Sequence, residues 1–421
     1  CRRAPGWPQL RPCPLGPLGP SEGASLLPRP LRQGWRDSRH QGRMLALGLD
    51  SGRVMLVDES TGEVKWDVQA HPYVSAPRYG HTKIAMTPDG RRVASVGFND
   101  EQWRLWEAAS GTLNRVGARH DGTGACICVV PEAGPTLLHE GCPVVAHRGG
   151  LLALAFSPCG QRFATGGEDG AVILWDAQTG DAEHRIHQGT GAVTSITFST
   201  DGELLASGTS DGDDGESQTI CVWDATRALL RSLHREEAQP GWMHFSPTDS
   251  RRLASAGLDD DIHLWDVESG AHLRSMRGRR IAVFSPNGRF LATAGFTPQG
   301  FSDMHLVDAE SGESRLRMVS HADKVLSAAF DEDGGKLASG SRDGTCKVWD
   351  SSTGALLRTI DIGNSVGSLV WGRDWERDEE DRQRAVAFAM GHDQRLGAGS
   401  RVVALEVGVV RMILDRVLGR V

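Results

Sequence analysis

Short apolar runs separated by polar turns recur along most of the chain, and the most regular example ends at Trp349. Residues 336–350 read K-L-A-S-G-S-R-D-G-T-C-K-V-W-D, in which the first half is small and suited to a strand. Asp343 and Gly344 tolerate the backbone of a tight turn, and residues 346–349 then alternate between two faces and end on a large aromatic side chain. The pattern predicts two short antiparallel strands joined by a turn.

The same pattern recurs at a fixed interval. Related segments read FATGGEDGAVILWD at 163–176, LASGTSDG…TICVWD at 205–224, LASAGLDDDIHLWD at 253–266 and, more weakly, VASVGFNDEQWRLWE at 93–107. Trp223, Trp265, Val307 and Trp349 occupy equivalent places and follow one another at intervals of 42 residues. Two longer intervals upstream contain the insertions 213–218 and 121–146. Self-similarity at such a period predicts an array of identical structural units.

These W-D endings and the 42-residue period resemble the WD40 family over residues 44–407. The resemblance implies an all-β fold, a closed propeller of four-stranded antiparallel blades. Turn sequences such as Thr87-Pro88-Asp89-Gly90 fit the hairpin between the first two strands of a blade. Six blades are recognisable between 83 and 360, and the strands at the two ends form the rest. The prediction is seven blades, in which the two ends share one blade; the alternative is eight, in which each end builds its own.

The chain divides into three predicted parts. Residues 1–42 hold 8 of the 19 prolines and no periodic pattern, which is typical of a disordered segment. Residues 43–407 form the predicted propeller, whose last strands are expected at 365–371, 385–390 and 400–407. Residues 408–421 place apolar side chains on one helical face and predict a short amphipathic helix.

Composition and charge narrow the class of function. The net charge of −8 disfavours a general electrostatic grip on nucleic acid, so no nucleic-acid partner is expected. The chain contains no run of 18 apolar residues, so no membrane partner is expected either. The 8 cysteines lack paired spacing and indicate reduced thiols, which favours a cytoplasmic location or, alternatively, a nuclear one.

The resemblance also implies a buried hydrogen-bonded tetrad in each regular blade, formed by a His, a Ser or Thr, the turn Asp and the Trp. Four blades supply the set, namely His147, Thr165, Asp169 and Trp175; His187, Ser207, Asp211 and Trp223; His234, Ser255, Asp259 and Trp265; and His321, Ser339, Asp343 and Trp349. Hydrolases also use Ser, His and Asp, but here the set repeats blade by blade and is interpreted as structural. The blade 278–319 has no such His and carries Val307 in place of Trp, and it is expected to be the loosest part of the ring.

Two other clusters resemble ligand sites only in part. One cluster lies within 28 residues and contains His120, Cys126, Cys128, His139, Cys142 and His147. Its spacing matches no zinc finger, His147 already belongs to a tetrad, and the prediction is a packed loop. The acidic stretch 211–216 begins like a calcium loop but lacks the closing Glu, and it is interpreted as a solvated loop. The expectation is therefore no metal, no cofactor and no catalytic residue.

With no catalytic, metal or nucleic-acid site expected, the predicted function is binding of a partner to the surface of the propeller. In the WD40 family the loops that join second to third strands, and each blade to the next, form one end of the ring around its central mouth; we call this end the top face. Candidate protein-binding positions there are Asn99, Glu168, Asp213, Asp214, Glu216, Leu258, Arg277, Arg279, Arg280 and Arg342. The acidic positions and the arginines at 277–280 predict an acidic and a basic sector on the top face. The alternative is that these charges only keep the protein soluble.

The functional prediction is a non-catalytic scaffold that binds protein or peptide partners on the top face. Two alternatives stay open at this point. The chain can be the sensor or regulatory portion of a larger multidomain signalling protein, or an enzyme with a site in the central mouth. The oligomeric state is not predicted.

Overall fold

The computed structural model describes the chain between Arg43 and Gly372 with several gaps. The described residues are 43–72, 82–97, 102–120, 126–130, 134–137, 147–187, 191–210, 219–224, 228–234, 241–256, 261–294, 303–319 and 321–372. Within these ranges every regular element is a strand. None of the described segments is a helix long and apolar enough to cross a membrane.

The strands form seven antiparallel sheets, which are the blades of a β-propeller. Blade 1 contains β1 (Met44–Leu49), β2 (Arg53–Asp58), β3 (Val64–Gln69) and β30 (Val366–Gly372). Blade 2 contains β4 (Lys83–Met86), β5 (Arg92–Val96), β6 (Trp103–Glu107), β7 (Leu113–His120), β8 (Cys126–Val130) and β9 (Gly134–Leu137). Blade 3 contains β10 (Leu151–Phe156), β11 (Arg162–Gly167), β12 (Ala171–Asp176) and β13 (Ala182–His187).

The remaining blades each have four strands. Blade 4 contains β14 (Ala192–Phe198), β15 (Leu204–Ser210), β16 (Thr219–Asp224) and β17 (Leu229–His234). Blade 5 contains β18 (Trp242–Phe245), β19 (Arg252–Ala256), β20 (Asp261–Asp266) and β21 (Ala271–Arg277). Blade 6 contains β22 (Arg279–Phe284), β23 (Phe290–Ala294), β24 (Asp303–Asp308) and β25 (Ser314–Val319). Blade 7 contains β26 (Val325–Phe330), β27 (Lys336–Ser341), β28 (Thr345–Asp350) and β29 (Leu356–Asp361).

The ends of the ring meet in blade 1, which confirms the prediction of seven blades. Its inner strand, β30, comes from the far end of the described chain and pairs antiparallel with β1, so that Leu45 faces Trp371 and Leu47 faces Leu369. The inner strands contact one another in the order β30, β4, β10, β14, β18, β22, β26 and back to β30. A closed ring leaves no blade with an uncovered apolar face.

Polar contacts reinforce the closure between blade 7 and blade 1. Arg43 forms ion pairs with Asp331 and Asp333, and the Lys336 ammonium lies 2.8 Å from the nearer carboxylate oxygen of Glu59. The Asp331 side chain is 4% exposed, so this pairing matters more than a solvated surface pair would. These contacts tie the beginning of the described chain to blade 7 and add to the β1–β30 pairing, which joins strands from its two ends.

The core lies between neighbouring blades. The indole of Trp103, on β6, lies 4.9 Å from the ring of Phe163 and 5.3 Å from that of Trp175, both measured between ring centres and both edge-on. Phe163 and Trp175 belong to blade 3 and are almost completely buried. Edge-to-face packing of this kind is favoured by the charge distribution of aromatic rings. Blade 3 therefore covers the apolar face that blade 2 presents to it.

The predicted hairpins between first and second strands are present. The Gly90 amide donates to the Thr87 carbonyl at 2.8 Å, and Gly288 donates to Ser285 at the same distance. Gly90 has a φ of 73°, a backbone conformation that other L-residues rarely adopt. The turn chemistry read from the sequence thus accounts for the local backbone.

Two expectations about loops were wrong. Residues 121–146 were predicted to be a packed loop, but 126–130 and 134–137 form β8 and β9 and extend the outer edge of blade 2. Strand pairing satisfies the backbone amides and carbonyls that a loop would leave to solvent. The second wrong expectation is a top-face loop at residues 277–280. Only Gly278 separates β21 from β22, so Arg277 ends β21, and Arg279 and Arg280 belong to β22.

The other predicted segments lie outside the described residues. These are the Pro-rich segment 1–42, the strands expected at 385–390 and 400–407, and the helix expected at 408–421. The strand expected at 365–371 is β30.

Candidate functional site

The predicted tetrads are complete in blades 3 and 7. In blade 7 the two ring nitrogens of His321 lie 2.9 Å from an Asp343 carboxylate oxygen and 2.8 Å from the Ser339 hydroxyl. The indole N–H of Trp349 donates to the same hydroxyl at 2.9 Å. In blade 3, His147 lies 2.8 Å from both Asp169 and Thr165, and Trp175 donates to Thr165 at 2.8 Å. Each buried polar group therefore has a partner, as burial requires.

The turn aspartates link the loops of the top face. Asp343 accepts the backbone N–H of Ala322 at 2.9 Å, and Asp169 accepts that of Arg148 at 3.0 Å. Burial raises the pKa of the Asp343 carboxyl, but hydrogen bonds from Thr345, the Ala322 amide and His321 outweigh it and lower the pKa to about 2. At neutral pH the carboxylate is therefore ionised and holds the loop before β26 to the loop after β27.

Blades 4 and 5 show half of each predicted tetrad. Trp223 donates to Ser207 at 2.8 Å, and Trp265 donates to Ser255 at 2.9 Å. The predicted partners Asp211 and Asp259 lie outside the described residues, as do the side chains of His187 and His234. Blade 7 has the same Trp–Ser hydrogen bond, and in blade 3 the Thr165 hydroxyl takes the place of the Ser.

Blade 2 contains a polar cluster that the sequence reasoning missed. His71 Nε2 lies 2.9 Å from the Ser95 hydroxyl, which also accepts the Trp106 indole N–H at 2.9 Å. At the other nitrogen of the imidazole, Nδ1, His71 accepts a hydrogen bond from Arg104 at 2.7 Å. Blades 3 and 7 have a carboxylate at this place. His71 precedes Ser95 by 24 residues rather than the 18 of blades 3 and 7, so the regular spacing did not reveal it.

Blade 6 has no tetrad, as the absence of the His and the Trp from its sequence indicates, and other contacts take its place. Val307 is buried at the Trp position, and the Thr293 hydroxyl donates to the carbonyl of Ala294 at 3.3 Å. A buried carboxylate, Asp303, accepts two N–H groups of Arg317 at 2.7 and 2.6 Å. One carboxylate oxygen of Asp303, Oδ2, accepts both N–H groups, and this ion pair joins the two outer strands of the blade. Whether blade 6 is the loosest part of the ring stays a prediction.

Three of the candidate top-face residues are described. Glu168 and Arg342 are exposed, and each directly precedes a turn aspartate, Asp169 or Asp343. One carboxylate oxygen of Glu168 accepts the backbone N–H of Gly150 at 2.9 Å, which orients the side chain along the loop. Arg277 is exposed at the end of β21.

The other candidates are not brought together by the described structure. Asn99, Asp213, Asp214, Glu216 and Leu258 lie outside the described residues, and so do the side chains of Arg279 and Arg280. The expectation of separate acidic and basic sectors therefore stays a prediction.

The central mouth carries a contact that no sequence pattern indicated. Lys83 begins β4 and Trp242 begins β18, so both lie at the top end of an inner strand, in blades that are not neighbours. The Lys83 ammonium lies 5.2 Å from the centre of the Trp242 ring, a cation–π contact across the channel. Burial lowers the pKa of Lys83 to about 8, against the opposing effect of Asp50. The two side chains together narrow the mouth.

A second buried base lies below Trp242 on the same strand. Burial lowers the pKa of His244 to about 4, so its imidazole is neutral at physiological pH. Its ring centre lies 6.2 Å from that of Phe284 in the neighbouring blade. Among the described residues, no three His, Cys, Asp or Glu side chains converge as metal ligands. Of the Cys/His cluster 120–142, no side chain is among those described.

Comparison with known proteins points to one family. The family model described as WD domain, G-beta repeat matches residues 141–176, 182–224 and 312–350. The chain is 30% identical over 303 residues to nuclear distribution protein PAC1 of Coccidioides posadasii (strain C735), covering 59% of this chain and 61% of that protein. It is 27% identical to periodic tryptophan protein 2 of Arabidopsis thaliana, covering 51% of this chain and 23% of the relative.

A further relative is autophagy-related protein 16 of Arabidopsis thaliana, 24% identical over 56% of this chain and 45% of that protein. The chain thus spans less than two thirds of the length of each of these relatives.

Proposed function

Because this chain is a WD40-repeat β-propeller, we propose that it is a non-catalytic scaffold that binds protein or peptide partners through its top-face loops. The fold supports this class, because WD40 propellers are generally interaction scaffolds, and the similarity to the relatives named above is consistent with it. Function has to be argued from the site rather than from the fold alone, so the proposal depends on what the top face presents.

The observation that carries the proposal is the arrangement of Glu168 and Arg342. Each side chain is exposed, while the aspartate that follows it is held from below by a buried tetrad. The backbone of a loop fixed in this way loses little further conformational freedom when a partner binds. Opposite charges at equivalent places in two blades favour a partner segment with a matching charge order.

The central mouth supports the same proposal. Lys83 and Trp242 combine a cation and a large aromatic surface at the centre of the top face. Aromatic residues are enriched where binding energy concentrates in protein interfaces, and a partly buried ammonium favours an acidic or carbonyl-rich partner segment. We assign these two residues to the proposed interface alongside Glu168 and Arg342.

The buried position of the tetrads argues against a catalytic role for them. His147, Thr165, His321 and Ser339 are between 0% and 6% exposed, and each hydroxyl is already shared between a His and a Trp. A nucleophile needs access to its substrate as well as a base. The alternative of an enzyme therefore depends on the mouth, where Lys83 and His244 are the titratable groups described above.

A second candidate function follows from the lengths of the relatives. The chain spans 61%, 23% and 45% of the three relatives named above, so WD40 arrays of this kind form part of longer proteins there. We propose as the alternative that this propeller is the sensor or regulatory portion of a larger protein. In either form we place it in the cytoplasm or the nucleus.

The test is affinity capture from the source cells with three charge-reversal variants. Glu168→Arg and Arg342→Glu change the top face, and Arg251→Glu changes the opposite end, where that side chain is 68% exposed. Each variant is first shown to keep the melting temperature of the wild type. A stoichiometric partner that is lost with either top-face change and kept with Arg251→Glu supports the proposal.

Two outcomes contradict it. A partner that survives both top-face changes and is lost with Arg251→Glu moves the interface to the other end of the ring. A wild-type chain that captures no stoichiometric partner, but turns over a small molecule in a Lys83-dependent way, favours the enzyme alternative.

A further inference from the structure

The indole N–H of Trp242, at the central mouth, has no hydrogen-bond acceptor among the described residues. Seven other described tryptophans donate this hydrogen to a hydroxyl or a carbonyl, namely Trp66, Trp106, Trp175, Trp223, Trp265, Trp349 and Trp371. The N–H of Trp103 is also unpaired, but it is buried where blade 2 packs on blade 3. Trp242 is partly exposed, so its N–H is open to a ligand.

The Lys83 ammonium, on the other side of the mouth, also lacks a hydrogen-bond partner. It lies 5.2 Å from the centre of the Trp242 ring but donates none of its three hydrogens to a described residue. Asp50 acts on its charge without forming an ion pair with it. A cation–π contact offsets part of the cost of burying the charge but supplies no hydrogen-bond acceptor. Because a buried ammonium without acceptors is costly, the arrangement favours binding of an acceptor in the mouth.

His244 adds a third unused nitrogen deeper in the channel. It follows Trp242 by two residues on β18, and both side chains are partly exposed while Met243 and Phe245 are buried. Residues two apart in a strand share a face, so His244 lies below Trp242 on the same side of the strand. Its Nδ1 is buried and has no hydrogen-bond partner among the described residues. Buried polar atoms of this kind are uncommon in folded proteins and call for a partner.

The other blades leave the channel to these three side chains at this depth. His244 pairs with an alanine of the second strand, and the residues that pair with the equivalent alanine in the other six blades are Ala85, Ala155, Thr197, Val283, Ala329 and Val370. None of these six is larger than valine. The inner strand of each blade also pairs on one side only, so its other edge presents backbone N–H and C=O groups to the channel. A small polar group is therefore compatible with this lining.

The three nitrogens determine the chemistry of the ligand. Ammonium and indole N–H groups only donate hydrogen bonds, and a neutral imidazole donates through one nitrogen, so the ligand has to accept. Among the described side chains the mouth has one ammonium with the Asp50 carboxylate near it, which favours a monoanion over a phosphate dianion.

From these three unpaired groups we propose that the upper channel binds a carboxylate, whose two oxygens accept hydrogen bonds from Lys83 and Trp242 while His244 Nδ1 donates from below. The source of the carboxylate rests on the proposed function: it is the aspartate or glutamate side chain of a partner segment that lies on the top face.

Sodium propionate, which has the end of a glutamate side chain, is the probe for the full chain, and sodium chloride at the same ionic strength is the control. Proton–nitrogen NMR follows the indole N–H signal of Trp242, which is assigned by its absence from the spectrum of Trp242→Phe. Propionate is expected to move this signal downfield, because the N–H gains an anionic acceptor. The Trp265 signal is expected to stay in place, because that N–H already donates to Ser255.

Two lysine variants locate the effect. Lys83→Met is expected to weaken the affinity for propionate roughly tenfold or more, because it removes a charged hydrogen-bond donor. Lys65→Met, on the outer strand β3, is expected to keep the affinity of the wild type. A Trp242 signal that responds equally to propionate and to sodium chloride, or equally in Lys83→Met and the wild type, would overturn the site.

The source of the carboxylate is tested on the partner obtained by affinity capture. Saturating propionate is expected to release that partner, and sodium chloride at the same ionic strength is not. A partner that stays bound when propionate fills the mouth would overturn the assignment to a partner side chain and make a free small carboxylate the ligand. The titration itself uses no partner, so propionate binding by a chain that captures none contradicts the scaffold function and not the carboxylate site.

Discussion

The ammonium nitrogen of Lys83 lies 5.2 Å from the centre of the Trp242 ring, although the two residues belong to blades on different sides of the channel. The ring order places blades 3 and 4 between them on one side and blades 6, 7 and 1 on the other. The contact therefore exists because the ring closes. It brings a cation and an aromatic surface to the centre of the face that we propose binds partners.

Lys83 is expected to lower the stability of the ring at neutral pH. Burial lowers its pKa to about 8 from an ordinary value of 10.5, so the unfolded chain holds this proton more tightly than the folded one. The free energy of unfolding is therefore highest above pH 10.5, and it decreases as the pH falls from 10.5 toward 8. Lys83→Met is expected to raise the free energy of unfolding at pH 7 by roughly 1 kcal/mol, and the gain is expected to vanish at high pH.

Urea unfolding at pH 7 and above pH 10 measures this effect. The control is Lys65→Met, at a side chain that is 34% exposed and 3.4 Å from Glu63, where a change within about 0.5 kcal/mol is expected. A Lys83→Met chain that is less stable than the wild type at pH 7 would show that the cation–π contact outweighs desolvation.

The histidines of blades 2 and 3 are expected to be opposite tautomers. Arginine can only donate, so His71 Nδ1 must accept from Arg104 and the hydrogen lies on Nε2. The ionised Asp169 can only accept, so His147 carries its hydrogen on Nδ1. Long-range proton–nitrogen NMR correlations distinguish the two forms. Finding the same tautomer at both residues in the neutral state would contradict the geometry.

Identical threonine substitutions in blades 3 and 6 are expected to differ in cost. Thr165→Val removes the partner of both His147 and Trp175, whereas Thr293→Val removes one 3.3 Å bond to a backbone carbonyl. Leaving a buried polar group unpaired costs about 1–3 kcal/mol, so Thr165→Val is expected to cost about 2 kcal/mol more than Thr293→Val. Chemical denaturation of the two variants tests this, and equal losses would show that the tetrad contributes no more than an ordinary buried hydroxyl.

The contacts at the closure are expected to matter more than a similar pair on the surface. Arg43 is 19% exposed and pairs with the buried Asp331, while Arg53 is 46% exposed and pairs with Asp67. Arg43→Ala removes the arginine from the buried Asp331 carboxylate, which then keeps only the backbone N–H of Lys336 as a hydrogen-bond donor among the described residues, and is expected to cost about 3 kcal/mol. Arg53→Ala is expected to cost less than about 1 kcal/mol. Thermal and urea unfolding compare them, and an equal loss in both would mean that the closure depends on the β1–β30 pairing alone.

The repeat length and the turn chemistry were enough to predict the units of the fold. The interval of 42 residues predicts the blades, the Thr87–Gly90 type of turn predicts the hairpins, and the His321, Ser339, Asp343 and Trp349 spacing predicts a tetrad that the structure contains. These features depend on residues within one blade, and their geometry follows from local backbone preferences.

Other features were decided only by the tertiary structure. The pairing of β30 with β1, the contact of Lys83 with Trp242, and the His71–Arg104 contact join residues whose separation follows no repeat. His263, His272 and Ser275 lie together because the register between β20 and β21 shifts between Leu264 and Trp265, which a strict two-residue strand period excludes. Ring closure and strand pairing out of regular register set these distances, and both are properties of the packed chain rather than of any short stretch of it.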